Sequence, residues 1–440
     1  MAHIADFRRA CRIGWIILPL LGGGGPLAAQ APSPEILLEM ARDALAQHRL
    51  ADAGHILLAV PPERVDPNDL DFLRGQLALQ EEDFSKAIEL FHRILVRDPS
   101  LHRVRLDLAL AYFLSGDDEA ASHHFQIASA AGLPPEAQAK VDGYLLAIRR
   151  RRHWTGEISL GVAPDSNINA ATVVKTVNLF GVPFQVDQNA KKTSGVGLAG
   201  SMAGAYQWES SEDSRLMVGG TLSDIQFADH LFNDRAVSGF AGPRFLIGED
   251  AEISVKATAF RRWYGGEAYS RGGGGRLEGL LGLSPRWQWN ASLEIQQIDY
   301  DQLNLNNGPV AILGTGLTYG IDASSFVRFG SAIEREQTNE PAFRDNQIMF
   351  ETSYYRELPW GFTATLGASI DIAAYDHALS AFGVTRHDLT ANYQIGMANM
   401  AVDLAGFTPV IALIHTNRYS DIAFYSFDRD RAELTFKRNF

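Results

Sequence analysis

The hydrophobic period of this chain changes once, near residue 150, and no other feature narrows the fold as much. Beyond Thr155 the period is two. Ile158, Leu160 and Val162 alternate with Glu157, Ser159 and Gly161, and Leu293 and Ile295 alternate with Ser292, Glu294 and Gln296. Thr363, Thr365 and Gly367 alternate with Ala364, Leu366 and Ala368. Strands apolar on one face and polar or small on the other, joined alternately by short turns and longer loops, are the pattern of a transmembrane β-barrel. Fourteen such strands are expected, starting near residues 155, 193, 215, 235, 252, 272, 286, 310, 325, 345, 362, 386, 408 and 429. In lipid an unpaired backbone group is costly, and closing the sheet removes every edge. An even strand count returns the chain to the side on which it entered.

Before residue 150 the period is helical and the sequence repeats. Ala53, Ala87 and Ala121 are spaced by 34 residues, as are Leu57, Phe91 and Phe125. Ala41, Gly75 and Ala109 form a third column, and Ala44, Ala78 and Tyr112 a fourth. This is the tetratricopeptide period, with small residues where paired helices approach and a large apolar residue filling the space between them. The repeats run over 34–67, 68–101 and 102–135, and Ala137, Val141, Tyr144, Leu145 and Ile148 supply a capping helix. In that register Phe72, Gln76 and Leu79 of the second repeat and Leu106, Leu110 and Phe113 of the third face a concave groove. That makes them the candidate client-binding residues. Arg149–Arg152, His153 and Trp154 mark the junction, where Trp is expected at headgroup level and Arg against lipid phosphate.

The N-terminus reads as a secretory signal over residues 1–29. Arg8, Arg9 and Arg12 precede the short apolar run Ile13–Leu21, and Leu27-Ala28-Ala29 is a small-residue cleavage site. The run is too short to span hydrocarbon as a helix, which takes about 20 residues. Cleavage would leave a helical domain over 30–150 and a barrel over 151–440, and would remove Cys11, the sole cysteine. Disulfides, cysteine-based zinc sites and cysteine catalysis are then excluded. The formal charge is −13. That balance argues against a nucleic-acid partner held by phosphate contacts.

No constellation for chemistry emerges. There is no His-x-x-x-His spacing and no Gly-x-Ser-x-Gly, so no catalytic residue, metal ligand or cofactor is assigned. Asp165-Ser166-Asn167-Ile168-Asn169 alternates oxygen ligands like a calcium loop but lacks the central Gly and the distal Glu, so a strand-ending turn is expected. Gly272–Gly275 leads into a strand pattern, which points to close backbone approach and not to a phosphate loop. The final strand carries Leu434, Phe436 and the terminal Phe440 on one face, with Arg438 as the exception. It resembles the carboxy-terminal signal read by the barrel-insertion machinery.

Signal, short repeats, basic junction and barrel occur here in one order. Trp154, Gly161-Val162 and the Asp165–Asn169 segment come at the start of the barrel, and Phe424-Tyr425-Ser426-Phe427-Asp428 at its end. In this the chain resembles the surface lipoprotein assembly modifier family of Gram-negative bacteria. The resemblance implies an N-terminal α-solenoid in the periplasm joined to a 14-stranded antiparallel outer-membrane barrel. It also implies a lipoprotein or secreted-protein client, a role in bringing that client to the cell surface, and no enzymatic activity. The alternative architecture, a polysaccharide exporter that also joins such repeats to a barrel, usually carries many more than three repeats.

Overall fold

The computed structural model describes residues 32–440 apart from Ala131, Arg152, Gln188, Asn189, Glu249, Ala323 and Asp403. The expected signal segment lies outside the described residues. Seven helices come first: α1 (Pro34–Ala46), α2 (Leu50–Ala59), α3 (Pro67–Gln80), α4 (Phe84–Arg97), α5 (His102–Ser115), α6 (Asp118–Ala130) and α7 (Pro135–Arg151). Their starts are written in local chemistry. Pro34 and Pro67 occupy first-turn positions, where the missing N–H costs nothing, and the side chains of Ser33, Asp66 and Asp83 accept from the free amides of their helices.

The columns that repeat in the sequence are the packing contacts. Ala41, Ala53, Ala87, Ala109, Ala121 and Phe91 are fully buried, and Phe125 nearly so. A Cβ at Gly75 would lie 2.5 Å from the Phe91 ring, so the small residue and the large one meet directly. The cap forms as expected, with Val141 and Ile148 buried and the Tyr144 ring stacked 5.2 Å from Phe125.

The barrel follows. Its strands are β1 (Trp154–Asp165), β4 (Gly195–Ser211), β5 (Ser214–Gln226), β6 (Asp234–Ile247), β7 (Ala251–Tyr264), β8 (Glu267–Ser284), β9 (Trp287–Tyr300), β10 (Gly308–Asp322), β11 (Ser325–Glu336), β12 (Asp345–Glu357), β13 (Phe362–Leu379), β14 (Val384–Asn399), β15 (Thr408–Ser420) and β16 (Phe427–Asn439). All pair antiparallel with their chain neighbours, and β1 pairs with β16 to close the fourteen-stranded ring. Large apolar side chains such as Leu160, Leu198, Leu313, Ile333, Ile370 and Leu413 stand exposed on the outer face. Cross-strand ion pairs line the inner one, among them Arg276–Glu294 at 2.7 Å and Arg262–Asp234 at 2.6 Å.

Two features depart from the sequence expectation. β8 begins at Glu267, five residues before the expected start, because Gly265 and Gly266, both at positive φ, make a two-residue hairpin turn. The four-glycine run therefore lies inside β8. A Cβ at Gly274 would lie 2.0 Å from the Ile295 carbonyl, and one at Gly272 would lie 2.3 Å from the Phe260 ring, so close approach accounts for these two glycines. The loop after β1 also carries a separate hairpin, β2 (Thr176–Leu179) and β3 (Val182–Gln185). Its tip meets the turn between β13 and β14, where the Phe180 amide donates to the Ala381 carbonyl at 2.7 Å.

Candidate functional site

The helices sit against one rim of the barrel, the rim at which β1 begins and β16 ends. Arg105 on α5 is wholly buried there and holds Glu357, the last residue of β12, through two bonds of 2.6 and 3.2 Å. The same guanidinium donates to the Pro99 carbonyl at 2.8 Å. His123 Nε2 lies 3.8 Å from Glu357, and His124 Nδ1 lies 3.3 Å from Arg105. Burial holds the His124 imidazole well below the usual histidine range, with the neighbouring His123 and Arg105 charges acting in the same sense. Beside this contact the turn Pro359–Gly361 packs on α4, with Trp360 held at φ 63°. A cavity of about 450 Å³ separates α6 and α7 from the feet of β8 to β12. Glu357 and Arg105 are 252 residues apart in sequence, and no local pattern announces the pair. The one signal is an arginine set between buried Val104 and Leu108 on a packed helix face.

The six residues expected to line a groove lie on α3 and α5, and all six are half-buried. Phe72 lies 6.0 Å from the Phe91 ring and beneath the Arg103 guanidinium. Leu79 packs on the core of the middle helices, and Leu106 and Leu110 pack on the core below α6 and α7. Phe113 is covered on both sides, by Tyr144 at 4.9 Å and by the Arg151 guanidinium at 3.9 Å. Arg151 also binds Asp118 and the Phe113 carbonyl. It thus belongs to the helical unit and not to a lipid-phosphate contact, which corrects the expectation for that residue of the basic junction.

Gln76 lies near Asp107, one of whose carboxylate oxygens is buried without a partner. Burial pushes the Asp107 carboxyl up to about 6, against the opposing pull of Arg103 and Gln76. The unfolded chain would ionise near 3.9. The folded state therefore holds a proton that the unfolded state has lost between about pH 4 and 6, and stability falls as pH rises through that window. Asp107→Asn is expected to stabilise the helices by about 3 kcal/mol at pH 7 and by about 0.5 kcal/mol at pH 4. Melting of the full chain followed at 222 nm, variant against native at each pH, checks this. Half-buried His92 and His124 act in the opposite sense, weakening the fold as pH falls below their ordinary range near 6.5, but they cancel in that comparison.

At the other rim the two short segments that carry the family resemblance meet. Asp165 accepts from Arg429 at 2.8 and 2.5 Å and from the Asn167 amide at 2.8 Å. Asn167 is fully buried and its side-chain amide donates to the carbonyls of Ala171 and Asp428 at 2.9 and 3.0 Å. The Ser166 amide donates to the Asp430 carbonyl, and the Asp430 amide donates back to the Ser166 hydroxyl. Lys192 closes on Asp428 at 2.5 Å. The oxygens of this segment are thus taken up by protein N–H groups, as expected of a strand-ending turn. They fasten the long loop after β1 to the start of β16, across the joint where the barrel closes.

Below that fastening, β1 and β16 pair from Glu157↔Asn439 to Val162↔Leu434 and then again at Asp165↔Arg431. A Cβ at Gly161 would lie 2.3 Å from the Leu434 carbonyl, so only glycine fits this approach. Leu434 and Phe436 oppose Val162 and Leu160 on the outer face. The Phe440 amide donates to the Gly156 carbonyl at 2.8 Å, and its ring stacks on exposed Trp154 at 6.0 Å. Arg438, the exception on that face, lies over the Phe440 ring and donates to the Ala405 carbonyl at 3.2 Å, so its charge is carried toward the rim. Phe440→Asp places a charge at this apolar end and is expected to lower outer-membrane abundance severalfold, read by quantitative blotting of the membrane fraction. Native abundance would count against a role for the terminal aromatic.

The family model for surface lipoprotein assembly modifier matches residues 154–440. The chain is 25% identical to surface lipoprotein assembly modifier 1 of Neisseria meningitidis serogroup B, over 93% of this chain and 83% of that protein. It is 22% identical to the surface lipoprotein assembly modifier of Moraxella catarrhalis, over 89% of this chain and 77% of that protein. It is 21% identical to the hemophilin secretion modulator of Acinetobacter baumannii, over 83% and 76%. Among solved structures, the P. putida toluene transporter TodX aligns with a TM-score of 0.38 at 10% identity, over 71% of this chain and 94% of that one. The closed ring with its apolar exterior lies in the outer membrane of a Gram-negative bacterium, with the helices on the periplasmic side. From the barrel's first strand to its last residue, this chain belongs to the surface lipoprotein assembly modifier family.

Proposed function

We propose that the chain assists translocation of a lipoprotein or secreted protein to the cell surface, with the helical unit capturing the client and the barrel giving it passage. The observation that carries this reading is the docking of the helices on the periplasmic rim through Arg105 and Glu357. A repeat groove with a client in it would thereby stand at the entrance of a membrane-spanning ring. The names of the relatives, assembly modifiers of surface lipoproteins and a modulator of hemophilin secretion, support a client of that class. Residues 30–150 and 151–440 act as two units in this scheme, with Phe72, Gln76, Leu79, Leu106, Leu110 and Phe113 as the capture surface. Leu434, Phe436 and Phe440 serve insertion of the barrel.

Because the capture residues are half-buried, truncating them would damage the fold as well as the groove. A photoreactive amino acid at Gln76 or Leu110, in cells that also make a client lipoprotein, is the cleaner test. Client crosslinks are expected from both positions and not from Leu58, which is exposed on α2 outside the groove. Crosslinks from Leu58 alone would overturn the assignment.

A further inference from the structure

The chain itself connects the two strands at every joint of the ring except one. The joint between β1 and β16 is held only by what crosses it. At its foot Gly156 and Phe440 exchange both backbone bonds, at 3.3 and 2.8 Å. Every second residue above Gly156 therefore faces β16: Ile158, Leu160, Val162, Pro164 and Ser166. The rungs form as far as Val162↔Leu434, and the next one fails. Pro164 has no N–H, so the Ala432 carbonyl loses its ladder donor, and pairing returns only at Asp165↔Arg431. Above that gap the Ser166 amide donates to the Asp430 carbonyl at 2.9 Å, and the other contacts are made by side chains. Arg429 donates to Asp165, Asn167 to the Asp428 carbonyl, the Asp430 amide to the Ser166 hydroxyl, and Lys192 to Asp428.

A proline interrupts the ladder of one other joint in the same way. Leu246 faces β5 through its bond to the Asp213 carbonyl, so Pro243 faces β7, and pairing there skips from Ala241↔Ala257 to Arg244↔Ser254. Residues 248–250 tie those two strands together at the foot. The gap at Pro164 has no such tie, and the segments that span it from above are the two that carry the family resemblance. A lipidated client gives an opening at this place a use. The inner face of the ring carries ion pairs and the outer face is apolar. A polypeptide in the lumen whose acyl chains stay in hydrocarbon stands on both sides of a closed wall at once. Drawing the chains through the polar lumen would expose them to water, which every CH₂ resists. Parting two strands removes the conflict, and strands with no connecting turn can part without straining the backbone.

We propose that the β1–β16 joint parts from its outer end down past Val162, letting the acylated N-terminus of a client pass sideways between lumen and lipid, and that the segments around Asp165 and Asp428 are the clasp that closes it. This rests on the lipoprotein reading of the client and on passage through the ring, and it adds which part of the wall moves. The clasp lies at the outer rim, where the Asp428 side chain is 46% exposed, so its polar groups exchange protein partners for water on opening and recover them on closing.

Two measurements on the full-length protein test this. The first needs no client. Pro164→Ala supplies the missing donor and is expected to slow amide hydrogen exchange over residues 430–434 by about fivefold, the worth of one added backbone bond. Unchanged exchange in that variant overturns the proposal. The second locks the joint in cells. Cys11 is the sole native cysteine, so Val162→Cys with Leu434→Cys, which are register partners, can be oxidised selectively. Ala241→Cys with Ala257→Cys, beside the Pro243 gap, is the control. Oxidation of the first pair is expected to reduce surface display of a lipidated client to background, with recovery on reduction, and oxidation of the control pair to leave display undiminished. The same client with its lipidated cysteine replaced by Ala has no chains to pass through the wall and is expected to be released in both cases. Display of the lipidated form through the locked joint overturns the proposal, as does equal loss with the control pair. Loss of both client forms at the locked joint overturns its assignment to the acyl chains. Failure of the native protein to display either form removes the translocation role, and the exchange measurement still decides whether the joint opens.

Discussion

Arg105→Met will undock the helices from the barrel. The substitution leaves Glu357 as a half-desolvated charge against α5 with only the His123 imidazole, 3.8 Å away, to meet it, and removing one partner of a buried pair costs about 3–5 kcal/mol. Set against a docking interface, a loss of that size shifts the docked fraction by a factor of about a hundred or more. Spin labels or a crosslinkable cysteine pair placed on α6 and at the foot of β10 read this directly, as a broadened distance distribution or a lost crosslink. The second variant, Arg105→Met with Glu357→Leu, is expected to recover much of the docking, because apolar groups of similar shape replace a buried ion pair at little cost. Intact docking in the single variant would mean that the turn at Trp360 and the α6–β10 contact suffice by themselves.

Deleting residues 30–148 is the second change with a large expected effect. The helices contribute no strand to the ring, and every barrel strand has its two neighbours within 154–439. The shortened chain is therefore expected to reach the outer membrane and to show the altered gel mobility on heating that closed barrels show. Client display is expected to fall to background, since nothing then captures the client at the periplasmic rim. A truncated chain missing from the membrane fraction would show that the two units do not fold independently.

What could be read from the sequence and what could not divide along physical lines. The strand starts expected at 310, 325, 345, 362 and 408 fall within two residues of Gly308, Ser325, Asp345, Phe362 and Thr408, because lipid on one side and a polar lumen on the other impose a strict alternation. The 34-residue columns were legible for a related reason, since each column is a helix–helix contact that recurs in every repeat, as Gly75 against Phe91 shows. The start of β8 was misplaced because a Gly-Gly turn and a glycine-rich strand share one composition and differ only in backbone dihedrals. The Arg105–Glu357 pair is illegible for another reason. It joins distant elements, and which charges meet depends on how the helices dock. Asp165–Asn169 and Phe424–Asp428 stand between these cases. Each was picked out as a segment, but only the closed ring brings Asn167 to within 3.0 Å of the Asp428 carbonyl.

In the proposed role this chain itself carries a client across the outer membrane. Reconstitution measures that most directly. Purified full-length protein is placed in protein-free vesicles of outer-membrane lipid, a client lipoprotein held unfolded by a periplasmic chaperone is supplied outside, and protease is added after incubation. The vesicles containing the protein are expected to hold protease-resistant client inside, while empty vesicles and vesicles with the chain lacking residues 30–148 hold none. Client that remains fully digestible in the presence of the intact, docked protein would contradict the account.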